Sequence, residues 1–183
     1  MAQIQVKMKS ITQILLAGSI LILSAFTINS SINWTISENY EIKFSSSTGD
    51  PEGIFKTITG DIQFDQNDLV SSKCDLKIDV NSINTGNGMQ NKHAIGKKWF
   101  DAKNYPNIEF QSSKFSKTET GYSVTGMMKM HGVTKEMTLP FTFSNNVFKS
   151  TFSVNRIDFN IGESMKKVSD DIKLEVSLPV TTK

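Results

Sequence analysis

From Trp34 onward, apolar and polar residues take turns along the chain. Tyr40, Ile42 and Phe44 alternate with Glu41 and Lys43, and Cys74, Leu76, Ile78 and Val80 alternate with Asp75, Lys77 and Asp79. The same period of two returns in Ile108 and Phe110, in Tyr122 and Val124, in Met137, Leu139, Phe141 and Phe143, and from Ile172 to Val180. Successive strand side chains point to opposite faces, so each run predicts a strand with one dry face and one wet face. Turn-forming residues separate the runs: Gly49 to Pro51, Asn84 to Gly88, Thr120 with Gly121, and Asn145 with Asn146. Many short alternating strands predict an antiparallel barrel or sandwich. No long linker and no internal repeat interrupts them, so the pattern predicts one domain.

One stretch breaks the period. Between Met89 and Lys103, Ala94, Ile95, Trp99 and Phe100 are spaced as on one side of a short helix, which Tyr105 and Pro106 would end and Gly96 weakens. A single helix among strands predicts a cap on one end of a barrel.

The N-terminus follows another pattern. Lys7 and Lys9 precede an apolar run from Ile14 to Phe26, which gives way to small polar residues around Asn29, Ser30 and Ser31. A basic start, an apolar centre and a polar exit predict a secretory signal over residues 1–30, with the functional chain at 31–183. The apolar run is short for a spanning helix, which needs about 20 residues. The expected location is therefore periplasmic or secreted, without a stable membrane span after cleavage.

Charge then changes the picture. The chain has 183 residues, 20 Lys plus Arg and 18 Asp plus Glu, a net of +2. Lys7 and Lys9 are the only charged residues before Glu38, so the exported part is electrically balanced. Such balance argues against electrostatic binding of nucleic acid. One cysteine, Cys74, closes no intramolecular disulfide and builds no cysteine-rich zinc site; it reads as a small buried hydrophobe.

Candidate chemistry is sparse. His93 and His131 belong to no metalloprotease or hydrolase motif, and Asp170 and Asp171 are adjacent in a strand and point apart. No catalytic residues and no metal site are assigned, and an enzyme is not expected. The sharpest rival is Met127, Met128, Met130 and His131, whose thioethers and imidazole suit Cu(I). In a strand, however, Met128 and Met130 share one face while Met127 and His131 take the other. Arg156, the only arginine, has Asp158, Asp170 and Asp171 as candidate partners. The supply of 12 Phe, mostly at alternating positions, suits the lining of a barrel that holds one small or elongated apolar ligand.

Several blocks in order, DIQFDQNDL (61–69), IDVNSINTGN (78–87), NKHAIGKKWFDAKNYPNIEFQS (91–112), YSVTGMMKMHGVTKEMTLP (122–140), NRIDFNIG (155–162) and VSDDIKLEVSL (168–178), resemble the YceI-like family. The resemblance runs from Trp34 to Val180. It implies an eight-stranded antiparallel lipocalin-like barrel with one short helix, whose apolar tunnel takes a polyisoprenoid or similar amphipathic lipid. The expected tunnel lining is Phe44, Phe64, Ile78, Phe110, Met128, Met130, Leu139 and Phe141, with His93, Trp99 and Phe100 at the helix that closes one end. Asn160 stands where the family commonly has glycine, and no histidine occurs in the first strand around Asn39 to Ser45.

Together these readings predict an exported lipid-binding protein that sequesters or transports an isoprenoid-like lipid, needs no cofactor beyond that lipid, and forms no complex with nucleic acid. The sequence leaves a homodimer open. The alternatives are a copper-binding protein acting through Met127 to His131 and a lipid- or quinone-modifying enzyme.

Overall fold

The computed structural model describes residues 32–47, 49, 51–164 and 168–183, so the segment read as an export signal lies outside the described residues. In chain order the strands are β1 (Asn33–Ile36), β2 (Glu41–Ser46), β3 (Glu52–Phe55), β4 (Ile58–Gln63), β5 (Lys73–Asp79), β6 (Ile83–Asn84), β7 (Asn107–Lys117), β8 (Tyr122–Met130), β9 (Val133–Ser144), β10 (Val147–Asn155) and β11 (Asp171–Thr182). The helix α1 spans Gly88–Ala94, between β6 and β7.

The ring runs β1, β4, β5, β7, β8, β9, β10, β11 and closes on β1, where Trp34 faces Thr182 and Ile36 faces Val180. Every neighbour is antiparallel. The short strands β2, β3 and β6 continue β1, β4 and β5 past an interruption: β2 pairs with the first half of β11, β3 with β2, and β6 with β3. The result is the expected eight-stranded antiparallel barrel with one helix, three of its strands being broken in two.

The three breaks lie side by side and are stitched together. Tyr40 donates its hydroxyl to the carbonyl of Lys56 at 2.7 Å and accepts the Ile58 N–H at 3.3 Å. The Ser82 hydroxyl accepts the N–H groups of Lys56 and Thr57, both at 3.1 Å, and the Asp79 N–H donates to the Thr57 carbonyl. Side chains here satisfy main-chain groups that a continuous ladder would have paired.

Tight turns set the register elsewhere. His131 and Gly132, at φ 49° and 78°, join β8 to β9, and Asn145 with Asn146, at 50° and 59°, joins β9 to β10. Two positive φ values match the right-handed twist of a hairpin. Asn160 is left-handed too, at φ 56°, as the residue that ends the 3-10 turn Arg156–Phe159, which explains why a position glycine can fill accepts asparagine here.

One flank of the barrel is joined unevenly. β10 shares nine residue pairs with β11 but only three with β9, Val147 to Lys149 against Ser144 to Thr142. The ladder stops at Thr142, two residues short of Pro140, which has no N–H to donate. Its carbonyl instead accepts the Ser150 hydroxyl at 2.6 Å.

The helix is shorter than the spacing of Ala94, Ile95, Trp99 and Phe100 suggests. Asn87 caps it by accepting the N–H groups of Met89 and Gln90, and it ends at Ala94. Beyond it the chain turns tightly: Gly96 donates to the His93 carbonyl, Trp99 to Gly96 and Phe100 to Ala94, and Asp101 is left-handed at φ 46°. Glycine is a poor helix former, and these short-range bonds replace the helical ones after it. Trp99 and Phe100 still pack inward, from turns and not from a helix face.

Candidate functional site

The strand interiors converge on two adjoining cavities. The outer one, of about 290 Å³, is lined by β2 (Ile42, Phe44), β3 (Phe55), β8 (Met128, Met130), β10 (Phe152, Val154) and β11 (Ile172, Leu174, Val176), with the helix and its following turns closing over it through Gln90, His93, Ala94, Trp99 and Phe100. The inner one, of about 140 Å³, is lined by Ile58, Ile62, Cys74, Leu76, Phe110, Phe115, Val124, Leu139, Phe141, Phe148 and Leu178 among others. Ile42, Ile78, Ile108, Met128, Phe152 and Val176, one from each of six strands, border both.

Seven of the eight expected lining residues border this space. Phe44 and Met130 line the outer cavity, Phe110, Leu139 and Phe141 the inner, and Ile78 and Met128 both. Phe64 lines neither. It lies beyond the inner cavity, 1% exposed, with its ring 5.3–5.8 Å from those of Phe115, Tyr122, Phe141, Phe143 and Phe148. Edge-to-face and tilted contacts at this range are the favoured aromatic geometries, so the far end of the barrel is a packed aromatic block. Trp34 fixes it by donating its indole N–H to the Phe64 carbonyl at 2.9 Å.

Polarity falls with depth. Thr85, Gln90, His93 and Arg156 are all on the outer cavity. The His93 ring is exposed there and makes no hydrogen bond or ion pair among the described residues. Thr85 is occupied internally, its hydroxyl bonded to Asn91 Oδ1 at 2.8 Å. The inner cavity offers only Cys74 and Ser150, and Ser150 is the residue bonded to the Pro140 carbonyl.

Arg156 is 4% exposed, and all three of its guanidinium nitrogens donate hydrogen bonds. Its Nε donates to the Ser169 carbonyl, Nη1 to Ile161, and Nη2 to Glu163, Val168 and the Asp170 carboxylate at 2.8 Å. Its guanidinium also sits 5.3 Å from the Trp99 ring centre. Of the three carboxylates the sequence offered, Asp170 is the partner; Asp158 pairs with Lys135 at 3.0 Å, and Asp171 accepts from Asn155. The arginine therefore ties residues 161–163 and 168–170 to the helix turns, and its charge is neutralised before any ligand arrives.

The Met-rich strand does not gather its donors. Met128 and Met130 are buried in the cavity wall, Met127 is 42% exposed, and His131 sits in the hairpin turn with Nδ1 3.2 Å from the Phe159 carbonyl oxygen. Among the described residues no three His, Cys, Asp or Glu side chains come together as a metal site.

Burial pushes the Cys74 thiol from its ordinary 9.0 up to about 11, while the neighbouring Ser112 opposes the shift. The folded state thus holds the proton more tightly than the unfolded chain. Stability is full below pH 9 and declines between pH 9 and about 11, where only the unfolded chain releases the proton. Iodoacetamide at pH 8 is expected to leave the native protein unlabelled and to label it in urea; rapid native labelling would contradict this burial.

Several lining residues escaped the sequence reading. Phe152, Ile172, Leu174 and Val176 lie in visible alternating rows, so their signal was present. Thr85 and Gln90 carried none, because loop and helix residues have no period that reports a cavity.

Residues 26–180 match the family model of the YceI-like domain. A UPF0312 protein of Yersinia pestis is 28% identical over 136 residues, 69% of this chain and 71% of its own length. Among solved structures, Burkholderia cenocepacia BcnA is 28% identical with a TM-score of 0.74, over 81% of this chain and 100% of BcnA. The Campylobacter jejuni YCEI protein is 26% identical with a TM-score of 0.63, over 73% of this chain and 85% of its own. A polyisoprenoid binding domain from Saccharophagus degradans shares the fold at 14% identity, with a TM-score of 0.60.

Proposed function

Since the chain belongs to the YceI-like family, we propose that it is an exported carrier that takes an isoprenoid-like lipid into its barrel and performs no chemistry on it. The observation that carries this reading is the apolar space running inward from the helix, bordered deep inside almost wholly by Phe, Ile, Leu, Val and Met side chains. Each buried methylene contributes about 0.8 kcal/mol, so a chain of ten or more carbons accounts for tight binding without any charged contact. The Saccharophagus domain of the same fold indicates which lipid class to try first.

The head of the lipid would rest at His93, whose exposed ring on the outer cavity makes no hydrogen bond or ion pair among the described residues. Arg156 is occupied and paired, which favours an uncharged head over a diphosphate. The N-terminal pattern of Lys7, Lys9 and the apolar run supports the export part of the proposal.

Native mass spectrometry of the protein taken from the exporting compartment tests the proposal. The expected spectrum shows a bound prenyl lipid that is released on unfolding. An apo mass alone, together with no uptake of prenyl alcohols, would overturn it. With purified protein, farnesol is expected to bind at least tenfold more tightly than farnesyl diphosphate, and the reverse order would reject the uncharged head.

A further inference from the structure

We infer that the aromatic block behind the inner cavity acts as a chain-length gauge, so that affinity for prenyl chains rises with length only until the chain end meets Phe115, Phe141 and Phe148. This rests on the reading of the cavity as an isoprenoid site and adds a limit to it.

The floor is closed by construction. Phe115, Phe141 and Phe148 border the inner cavity, and behind them each contacts Phe64, at ring distances of 5.8, 5.5 and 5.3 Å. Phe143 and Tyr122 pack on Phe64 at 5.3 Å each, so a chain has no way past. The floor also has no polar group to turn a chain end, since Ser150 is bonded to Pro140 and the Cys74 thiol stays protonated at neutral pH.

The depth follows from β11. Its cavity-facing residues run from Ile172 at the outer cavity to Leu178 at the inner, six residues on. At about 3.3 Å per residue and a strand tilt near 40°, that spans roughly 15 Å along the barrel axis. Carbon–carbon bonds of about 1.5 Å advance an extended chain by roughly 1.25 Å each, so about 12 main-chain carbons fit. Three isoprene units fill that length. Further units remain outside the barrel or fold back in the outer cavity, where they displace less water.

The waist offers a way to shorten the gauge. Val176 borders both cavities, and a larger side chain there enters empty space instead of packed core. Val176→Phe is expected to shut off the inner cavity while keeping the fold.

The experiment is a competition series of geraniol, farnesol, geranylgeraniol and solanesol, read by native mass spectrometry on wild type and Val176→Phe. In wild type, affinity is expected to rise at least about tenfold from geraniol to farnesol, since each buried carbon contributes about fourfold, and then to change less than about threefold from geranylgeraniol to solanesol. In Val176→Phe the farnesol gain is expected to disappear while geraniol still binds, with an unchanged circular dichroism spectrum reporting the fold. Affinity climbing steadily through solanesol in wild type would overturn the gauge and leave the isoprenoid site standing. No uptake of any of the four would overturn the site itself.

Discussion

Replacing Arg156 with leucine is expected to destabilise the protein by about 3 kcal/mol, because buried acceptors lose their donor at about 1–3 kcal/mol each, while the Asp170 carboxylate, 36% exposed, keeps part of its hydration. The substitution strands more than Asp170. Four carbonyls, those of Ile161, Glu163, Val168 and Ser169, lose their donor, and the Trp99 ring loses the cation beside it. Arg156→Lys is expected to recover little, because a single ammonium cannot span acceptors spread around a planar five-donor fork. Urea denaturation at low and high salt separates this mechanism from surface electrostatics. The loss should persist in high salt, since the guanidinium is 4% exposed and poorly screened. Lys183→Ala, which breaks the exposed pair with Asp61, should leave the midpoint unmoved. A loss below about 1 kcal/mol for Arg156→Leu would show that water or other donors serve these four carbonyls equally well.

Phe64→Ala is expected to cost a similar amount, about 3–5 kcal/mol, for a different reason. No polar partner is lost. The ring is 1% exposed and stands at the centre of five aromatic contacts, so its removal leaves a hole that the remaining rings cannot fill without giving up their own geometry. Phe64→Leu should cost less, because more of the volume is retained. Val70 at the tip of the β4–β5 loop is the control: at 99% exposure, Val70→Ala should change the unfolding free energy read from the urea transition by less than about 0.5 kcal/mol. Equal losses at the two positions would mean that the aromatic block carries no special share of the stability.

The two residues show what the sequence could and could not say. Alternation reports which face a side chain takes, and on that point the rows containing Phe44, Ile78, Met128 and Leu139 are correct. It does not report height along the barrel axis. Phe64 and Phe141 both point inward, yet Phe141 borders the inner cavity and Phe64 seals the end behind it. For Arg156 the nearby carboxylates were visible and the choice among them was not. That choice depends on the carbonyls of Ile161, Glu163, Val168 and Ser169, which fix the guanidinium where Asp170 meets it. The strand breaks were hidden because the apolar rhythm runs through them: Val80 continues the row from Cys74 although it opens the 3-10 turn Val80–Ser82 and is not in a strand. The helix was overextended because Trp99 and Phe100 face inward from turns and so mimic helical spacing.

The short ladder beside Pro140 bears on how such a barrel takes in a bulky chain. A cylinder with equal rungs all round must break main-chain bonds to widen. Here β9 and β10 share no main-chain rung beyond Thr142 and Lys149, and along the rest of that flank the Ser150 hydroxyl's bond to the Pro140 carbonyl is the hydrogen bond that must give. The girth of the barrel is softer along one line than elsewhere, and the resistance to dilation there comes from side chains, the Ser150 hydroxyl among them, more than from main-chain rungs.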